Sequence, residues 1–144
     1  MSELAFHQYP CLSDNYGVLV HDAARGETFA VDVPDADATL AALAATGWKL
    51  THILVTHHHD DHIQGIPAVK ANSACVVIGP AGIAVVDRVV AGGDIVDLAG
   101  ESIEVIATPG HTLDMLNYFL PDARVLFAGD TLFAMGCGRV FEGT

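Results

Sequence analysis

The run Lys49-Leu-Thr-His-Ile-Leu-Val-Thr56 ends directly in His57-His-His-Asp-Asp-His62, so a β-branched, apolar segment long enough for a buried strand delivers six consecutive ionisable residues to its carboxyl end. Five of the eight His in the chain lie in the eleven residues from His52 to His62, beside Asp60 and Asp61. Borderline metals such as Zn²⁺ accept imidazole nitrogen and carboxylate oxygen. Read as His57-x-His59-x-Asp61-His62, a tight loop aims His57 and His59 at one ion while Asp61 and His62 face a second. The intervening His58 and Asp60 are expected to point elsewhere, toward solvent or toward groups that support the ligands. Four His and two Asp in six positions after an apolar strand outweigh the plainer reading of a solvated polar loop.

The flanking sequence supplies a scaffold. Leu4 to Tyr9, Gly17 to His21 and Thr28 to Val33 read as short strands of a β-meander, separated by turn residues at Ser13-Asp-Asn15 and Asp22 to Gly26. Asp35 to Thr46 is Ala- and Leu-rich, carries Asp in its first turn and stops at Gly47, as a helix with a glycine cap does. Ile63 to Ala71 is a short helix candidate interrupted by Gly65 and Pro67, and Ala74 to Ile78 is a strand candidate. Ala84 to Val90 fits either class. Asp94 to Leu98, Ser102 to Ala107, Leu116 to Leu120 and Arg124 to Ala128 are four further strand candidates. Strands dominate, with helices between some of them, which is an α/β (α+β) arrangement.

No repeat, linker or low-complexity tract divides the 144 residues, and 51% hydrophobic content suffices for one sizeable core. One domain, 1–144, is expected. Six Lys and Arg against eighteen Asp and Glu give a net charge of −12, which repels a phosphate backbone, so no nucleic-acid partner is expected. The longest uncharged stretch near the middle, Ala71 to Val86, is broken by Asn72, Ser73, Gly79, Pro80 and Gly82, and so is no membrane span. The N-terminus lacks a basic and then apolar leader, and Cys11, Cys75 and Cys137 are odd in number and widely spaced. A reducing, cytoplasmic setting is expected; nothing sets an oligomeric state.

Two later motifs gain meaning beside the first. Taken alone, His111 in Thr108-Pro-Gly-His-Thr112 is a turn residue, and Asp130 in Phe127-Ala-Gly-Asp-Thr131 is a turn former or helix cap. Yet each follows an expected strand, and a two-metal site needs more ligands than one loop holds. Among them is a carboxylate able to bridge cations about 3.5–4 Å apart. The three loops are expected to meet at one sheet edge.

Thr56-His-His-His-Asp-Asp-His62, Gly110-His-Thr112 and Gly129-Asp-Thr131 resemble the successive metal motifs of the metallo-β-lactamase superfamily. Tyr9-Pro-Cys-Leu-Ser-Asp-Asn-Tyr-Gly17 and the segment from Gly129 to Thr144 narrow the likeness to the glyoxalase II (hydroxyacylglutathione hydrolase) family. The resemblance covers the whole chain. It implies an αββα sandwich and hydrolysis of S-D-lactoylglutathione to D-lactate and glutathione by a water activated between two divalent ions, Zn first, with Fe or Mn as alternatives. It further implies that His57, His59, His111 and Asp130 bind one ion, and Asp61, His62 and the bridging Asp130 the other. Asp61 and Asp130 thus flank the reacting water. Arg139 would hold the glutathione carboxylate, with the Cys137 backbone nearby, as a guanidinium grips a carboxylate bidentately. Phe141 stands where many members have Tyr.

The family also has a further ligand His beyond the Gly-Cys-Gly-Arg motif, and a C-terminal helical region, that this sequence lacks. The expectation is therefore the N-terminal portion of a metallo-β-lactamase-like domain, with an incomplete sandwich that leaves strand edges and apolar faces uncovered. Two competing readings follow from the missing His. One is a mononuclear iron persulfide dioxygenase of the same superfamily, using His57, His111 and Asp130; the other is a metal-binding fragment without turnover. Leu113-Asp114 and Leu132-Phe133 resemble the hydrolase more than the dioxygenase.

Overall fold

The computed structural model describes residues 3–12, 15–109 and 113–128. Three strands, β1 (Leu4–Cys11), β2 (Asn15–Asp22) and β3 (Glu27–Val31), form the expected meander. The chain then crosses through helix α1 (Ala36–Thr46) into β4 (His52–Leu54), and through α2 (Asp60–Ile63) and α3 (Ile66–Ser73) into β5 (Val76–Gly79) and β6 (Arg88–Val89). These crossovers make β3, β4, β5 and β6 parallel, in a six-stranded sheet of order β1-β2-β3-β4-β5-β6. A second sheet is antiparallel throughout: β7 (Ile95–Leu98), β8 (Glu101–Ala107), β9 (Leu116–Leu120) and β10 (Val125–Phe127), in the order β10-β9-β8-β7.

The alternation of strand side chains sorts the core into two layers. Leu19, Ala30, Ile53, Val55 and Val77 point from the first sheet toward Ala42 of α1 and Ile66 and Val69 of α3. Their neighbours Val20, Phe29, Leu54 and Ile78 point the other way, onto Val96, Leu98, Ile103, Val105, Tyr118 and Leu120 of the second sheet. Each fully buried Ile or Leu stabilises the stack by about 1.5–3 kcal/mol. The order is helix, sheet, sheet, which supplies three of the four layers of an αββα sandwich. Among the described residues no helix covers the outer face of the second sheet, where Ile95 (49%), Ile106 (40%) and Leu126 (46%) are exposed.

Local chemistry explains the boundaries. Asp35 caps α1 by accepting from the Ala38 backbone N–H at 3.2 Å, and Gly47, at φ 75°, turns the chain out of the helix while donating to Leu43 O. The strand expected over Lys49 to Thr56 pairs only at His52–Leu54, with Val55 and Thr56 continuing past the ladder toward the second sheet. The cluster expected to be a loop throughout turns helical at Asp60. The helix expected from Ile63 starts instead at Ile66, where Pro67 sits in the first turn and its missing N–H costs nothing. The open segment Ala84 to Val90 contributes the two-residue strand Arg88–Val89.

Candidate metal centre

The parallel strands β3 and β4 end side by side, and the first residue beyond β3 organises everything around it. Asp32 adopts φ 57°, a left-handed conformation that Asp tolerates better than most residues, and its N–H donates to Leu54 O at 2.8 Å. The turn drops its carboxylate into the interior, 4% exposed. Three donors meet it there. The Thr56 N–H donates to Oδ1 at 2.8 Å, the Thr56 hydroxyl to Oδ2 at 2.7 Å, and His62 Nδ1 to Oδ2 at 2.7 Å. A carboxylate offers about four lone-pair sites, so this one is largely saturated and is cast better as an orienting group than as a ligand.

The same bonds settle the imidazole tautomers. An ionised carboxylate only accepts, so His62 Nδ1 carries a proton, and in the neutral ring Nε2 then has the lone pair. The Thr56 hydroxyl gives its single proton to Asp32, so at its 2.9 Å contact with His57 Nδ1 the imidazole must be the donor. His57, fully buried, therefore also presents Nε2 as its lone-pair nitrogen. A carboxylate or hydroxyl fixing Nδ1–H so that Nε2 faces a cation is the usual support of metal-bound His. The rings of His57 and His62 lie 4.3 Å apart between centroids, and those of His57 and His59 4.9 Å. Ligand-type atoms of Asp32, His57 and His62 all fall within 4.8 Å of one another. This set of imidazole nitrogens backed by carboxylate fits a divalent transition metal such as zinc.

Backbone bonds lock the cluster to both sheets. Val33 N–H donates to His62 O at 2.7 Å and Gly65 N–H to Val33 O at 2.9 Å, which docks α2 against the turn after β3. Only glycine fits at 65, since a Cβ there would meet Ala36 N and Val33 Cγ1 at 2.7 Å. From the second sheet, Leu116 N–H donates to Thr56 O at 2.8 Å and the Tyr118 hydroxyl to Val55 O. Burial pushes the Tyr118 phenol far above the ordinary tyrosine range, with the Asp32 charge adding to it, so this donor stays protonated. The two sheets are thus pinned together immediately before His57.

Of the residues singled out from sequence, the structure brings together His57, His59 and His62. His58 and Asp60 are exposed, and His58 Nδ1 donates to Asp114 Oδ2 at 3.0 Å. Asp61 lies in α2, and its side chain falls outside the description, as do His111, Asp130, Cys137, Arg139 and Phe141 entirely. Sequence reading missed Asp32 and the double role of Thr56. The available signal was a charged residue inside the apolar run Ala30-Val-Asp-Val33, where burial requires partners.

Comparison with known proteins agrees with this geometry. The family model of the metallo-beta-lactamase superfamily matches residues 14–88 and 80–142, so the chain belongs to that superfamily. It is 52% identical over 139 residues to a hydroxyacylglutathione hydrolase of Rhodopseudomonas palustris, covering 94% of this chain and 54% of that protein. The crystal structure of ETHE1 from Myxococcus xanthus superposes with TM-score 0.84 at 33% identity, over 96% of this chain and 63% of that one. That of the BLEG-1 B3 metallo-beta-lactamase superposes with TM-score 0.86 at 23% identity, over 96% and 79%, a likeness of fold. The chain spans about half the length of the curated relatives it matches.

Proposed function

We propose that this chain carries the metal centre of a thioester hydrolase of the hydroxyacylglutathione hydrolase type, which cleaves S-D-lactoylglutathione to D-lactate and glutathione in a cytoplasmic setting. The observation that carries the reading is the Asp32–Thr56–His57–His62 network, which engages both imidazoles through Nδ1 and holds their rings 4.3 Å apart between centroids. Identity of about 50% to proteins bearing that name supports the substrate class. Since the chain spans about half of those relatives, the turnover of the whole enzyme is part of the proposal.

In this reading His57, His59, His111 and Asp130 hold one divalent ion, and Asp61, His62 and Asp130 a second, with zinc the first candidate and iron or manganese the alternatives. Ions bound there supply the Lewis acidity that makes water nucleophilic near neutral pH. The protein's own contribution is positional. Asp32 and Thr56 hold both imidazole rings in place through their Nδ1 contacts before any ligand arrives, so little reorganisation is needed at the moment of reaction. A thiolate leaves without strong acid assistance, so no residue need be found to protonate it. Arg139 would take the glutathione carboxylate bidentately, beside the Cys137 backbone and Phe141.

The test is hydrolysis of S-D-lactoylglutathione by the zinc-loaded chain and by His57→Ala, followed by release of free thiol. The proposal expects turnover in the enzymatic range, above about 1 s⁻¹, and a loss of at least 10²-fold in the variant. Metal retention without thiol release would leave a metal-binding fragment. Oxygen uptake on glutathione persulfide by an iron-loaded chain would replace the hydrolase with the dioxygenase.

A further inference from the structure

We infer that Tyr118 is a positioning residue of the metal centre: its hydroxyl holds the peptide plane that precedes Thr56 and so sets the directions in which Thr56 and His57 leave the strand. The inference rests on the reading of His57 as a metal ligand. Tyr118 points inward from β9, fully buried, and its hydroxyl donates to Val55 O across the sandwich. A gap in the first sheet explains why it is needed there. Val55 N–H donates to Ile78 O at 2.8 Å, and in a parallel ladder the carbonyl of the same residue accepts from the N–H two positions further along the neighbouring strand. That position is Pro80, which has no N–H. Val55 is fully buried, so its carbonyl requires a donor from elsewhere, and Tyr118 supplies it.

Peptide geometry carries this bond into the site. Val55 C=O and Thr56 N–H belong to one planar group. Tyr118 holds its oxygen, and Asp32 Oδ1 accepts from its N–H at 2.8 Å, so the plane is pinned at both ends. The next plane is held at Thr56 O by Leu116 N–H, also at 2.8 Å. With both planes held, the backbone of Thr56 has little freedom to rotate. Its hydroxyl stays between Asp32 Oδ2 and His57 Nδ1, at 2.7 and 2.9 Å, and His57 departs from a fixed backbone. Burial first, and the Asp32 charge second, raise the Tyr118 phenol far above its ordinary range, so the donor persists. A ligand ordered in advance loses less entropy when metal binds, which raises affinity.

The experiment measures zinc affinity of the purified chain by competition with a chromophoric chelator, the visible absorption of the cobalt(II)-loaded chain, and melting of the metal-free protein. Tyr118→Phe keeps the ring and removes only the donor; it should weaken zinc binding about tenfold, the low end for groups that support ligands, and change the cobalt spectrum. Leu120→Val, a truncation in the same buried layer two residues along β9, is the control for loosening. It should lower the melting temperature yet leave zinc affinity within about twofold and the cobalt spectrum unaltered. Pro80→Ala restores the missing ladder N–H, so the Tyr118→Phe, Pro80→Ala double variant should recover affinity to within about threefold of the wild type. Wild-type affinity and cobalt spectrum in Tyr118→Phe, an equal loss of affinity in Leu120→Val, or a loss that Pro80→Ala leaves in place would each overturn the positioning role. A wild-type chain that binds no zinc would overturn the reading of His57 as a ligand, and the inference with it.

Discussion

The two sheets carry unequal shares of the site. The first is apolar on both faces, packed between helices and the second sheet, and its parallel strands end in a network closed almost entirely by its own residues, Asp32, Thr56, His57 and His62. The second is antiparallel and, among the described residues, is covered on one face and meets the site through Leu116, Tyr118 and Asp114. The lesson is a division of labour. A doubly buried sheet provides a rigid edge on which ring orientations are set, and the singly buried sheet is clipped onto that edge immediately before His57.

Breaking the first sheet's network should therefore cost most. Asp32→Ala leaves three buried donors without their acceptor, each worth about 1–3 kcal/mol, so we expect a loss of at least about 3 kcal/mol in denaturant unfolding. Zinc affinity should fall 10–100-fold with it; a stable variant with unchanged zinc affinity would remove Asp32 from the account. The contrast between the sheets sharpens in a matched pair. Val77→Ser, in the fully buried layer beneath the helices, should cost about 2–3 kcal/mol through lost apolar contact and a buried hydroxyl. Ile106→Ser, on the exposed outer face, should stay within about 0.5 kcal/mol. Equal losses would mean that the outer face is covered in solution.

Gly65→Ala comes next, at about 1–3 kcal/mol, because its Cβ would collide with the backbone that docks α2. Its signature is a weakened centre with helix content retained, checked by zinc competition and circular dichroism. The smallest effect is one of pH. Burial raises the Tyr9 phenol to about 12, partly offset by its 2.8 Å contact with Thr39 Oγ1. Below about pH 10 the folded and unfolded states are both protonated there, so its contribution is fully present. Between about 10 and 12 the unfolded chain releases this proton first, and stability must fall as pH rises. Tyr9→Phe should flatten that alkaline slope; an unchanged slope would place its origin elsewhere.

How far the sequence foretold these features depends on whether the signal was local. The helix ending at Gly47 was legible because cap, composition and terminator agree within a dozen residues, and the strands of the second sheet because one covered face imposes alternation, as in Glu101–Ala107. The strand before the cluster was read too long, since Leu50, Val55 and Thr56 are as buried as the paired residues although the ladder spans only His52–Leu54. Apolar pattern reports burial, not pairing. His57, His59 and His62 were visible through their density. Asp32 was not, because its role comes from a parallel pairing that brings it next to residues 24 and 30 positions away. Such contacts leave no periodic trace, only a charge in an apolar run.

The central claim is that the first sheet presents an assembled metal centre, and the direct measurement is zinc per chain after exhaustive dialysis, for the wild type and for His57→Ala and His62→Ala. The account predicts tightly held zinc in the wild type, with two equivalents if both ions are retained, and loss of metal in each variant with the fold intact by circular dichroism. A wild-type chain that folds and holds no zinc, or variants that keep the wild-type content, would contradict it.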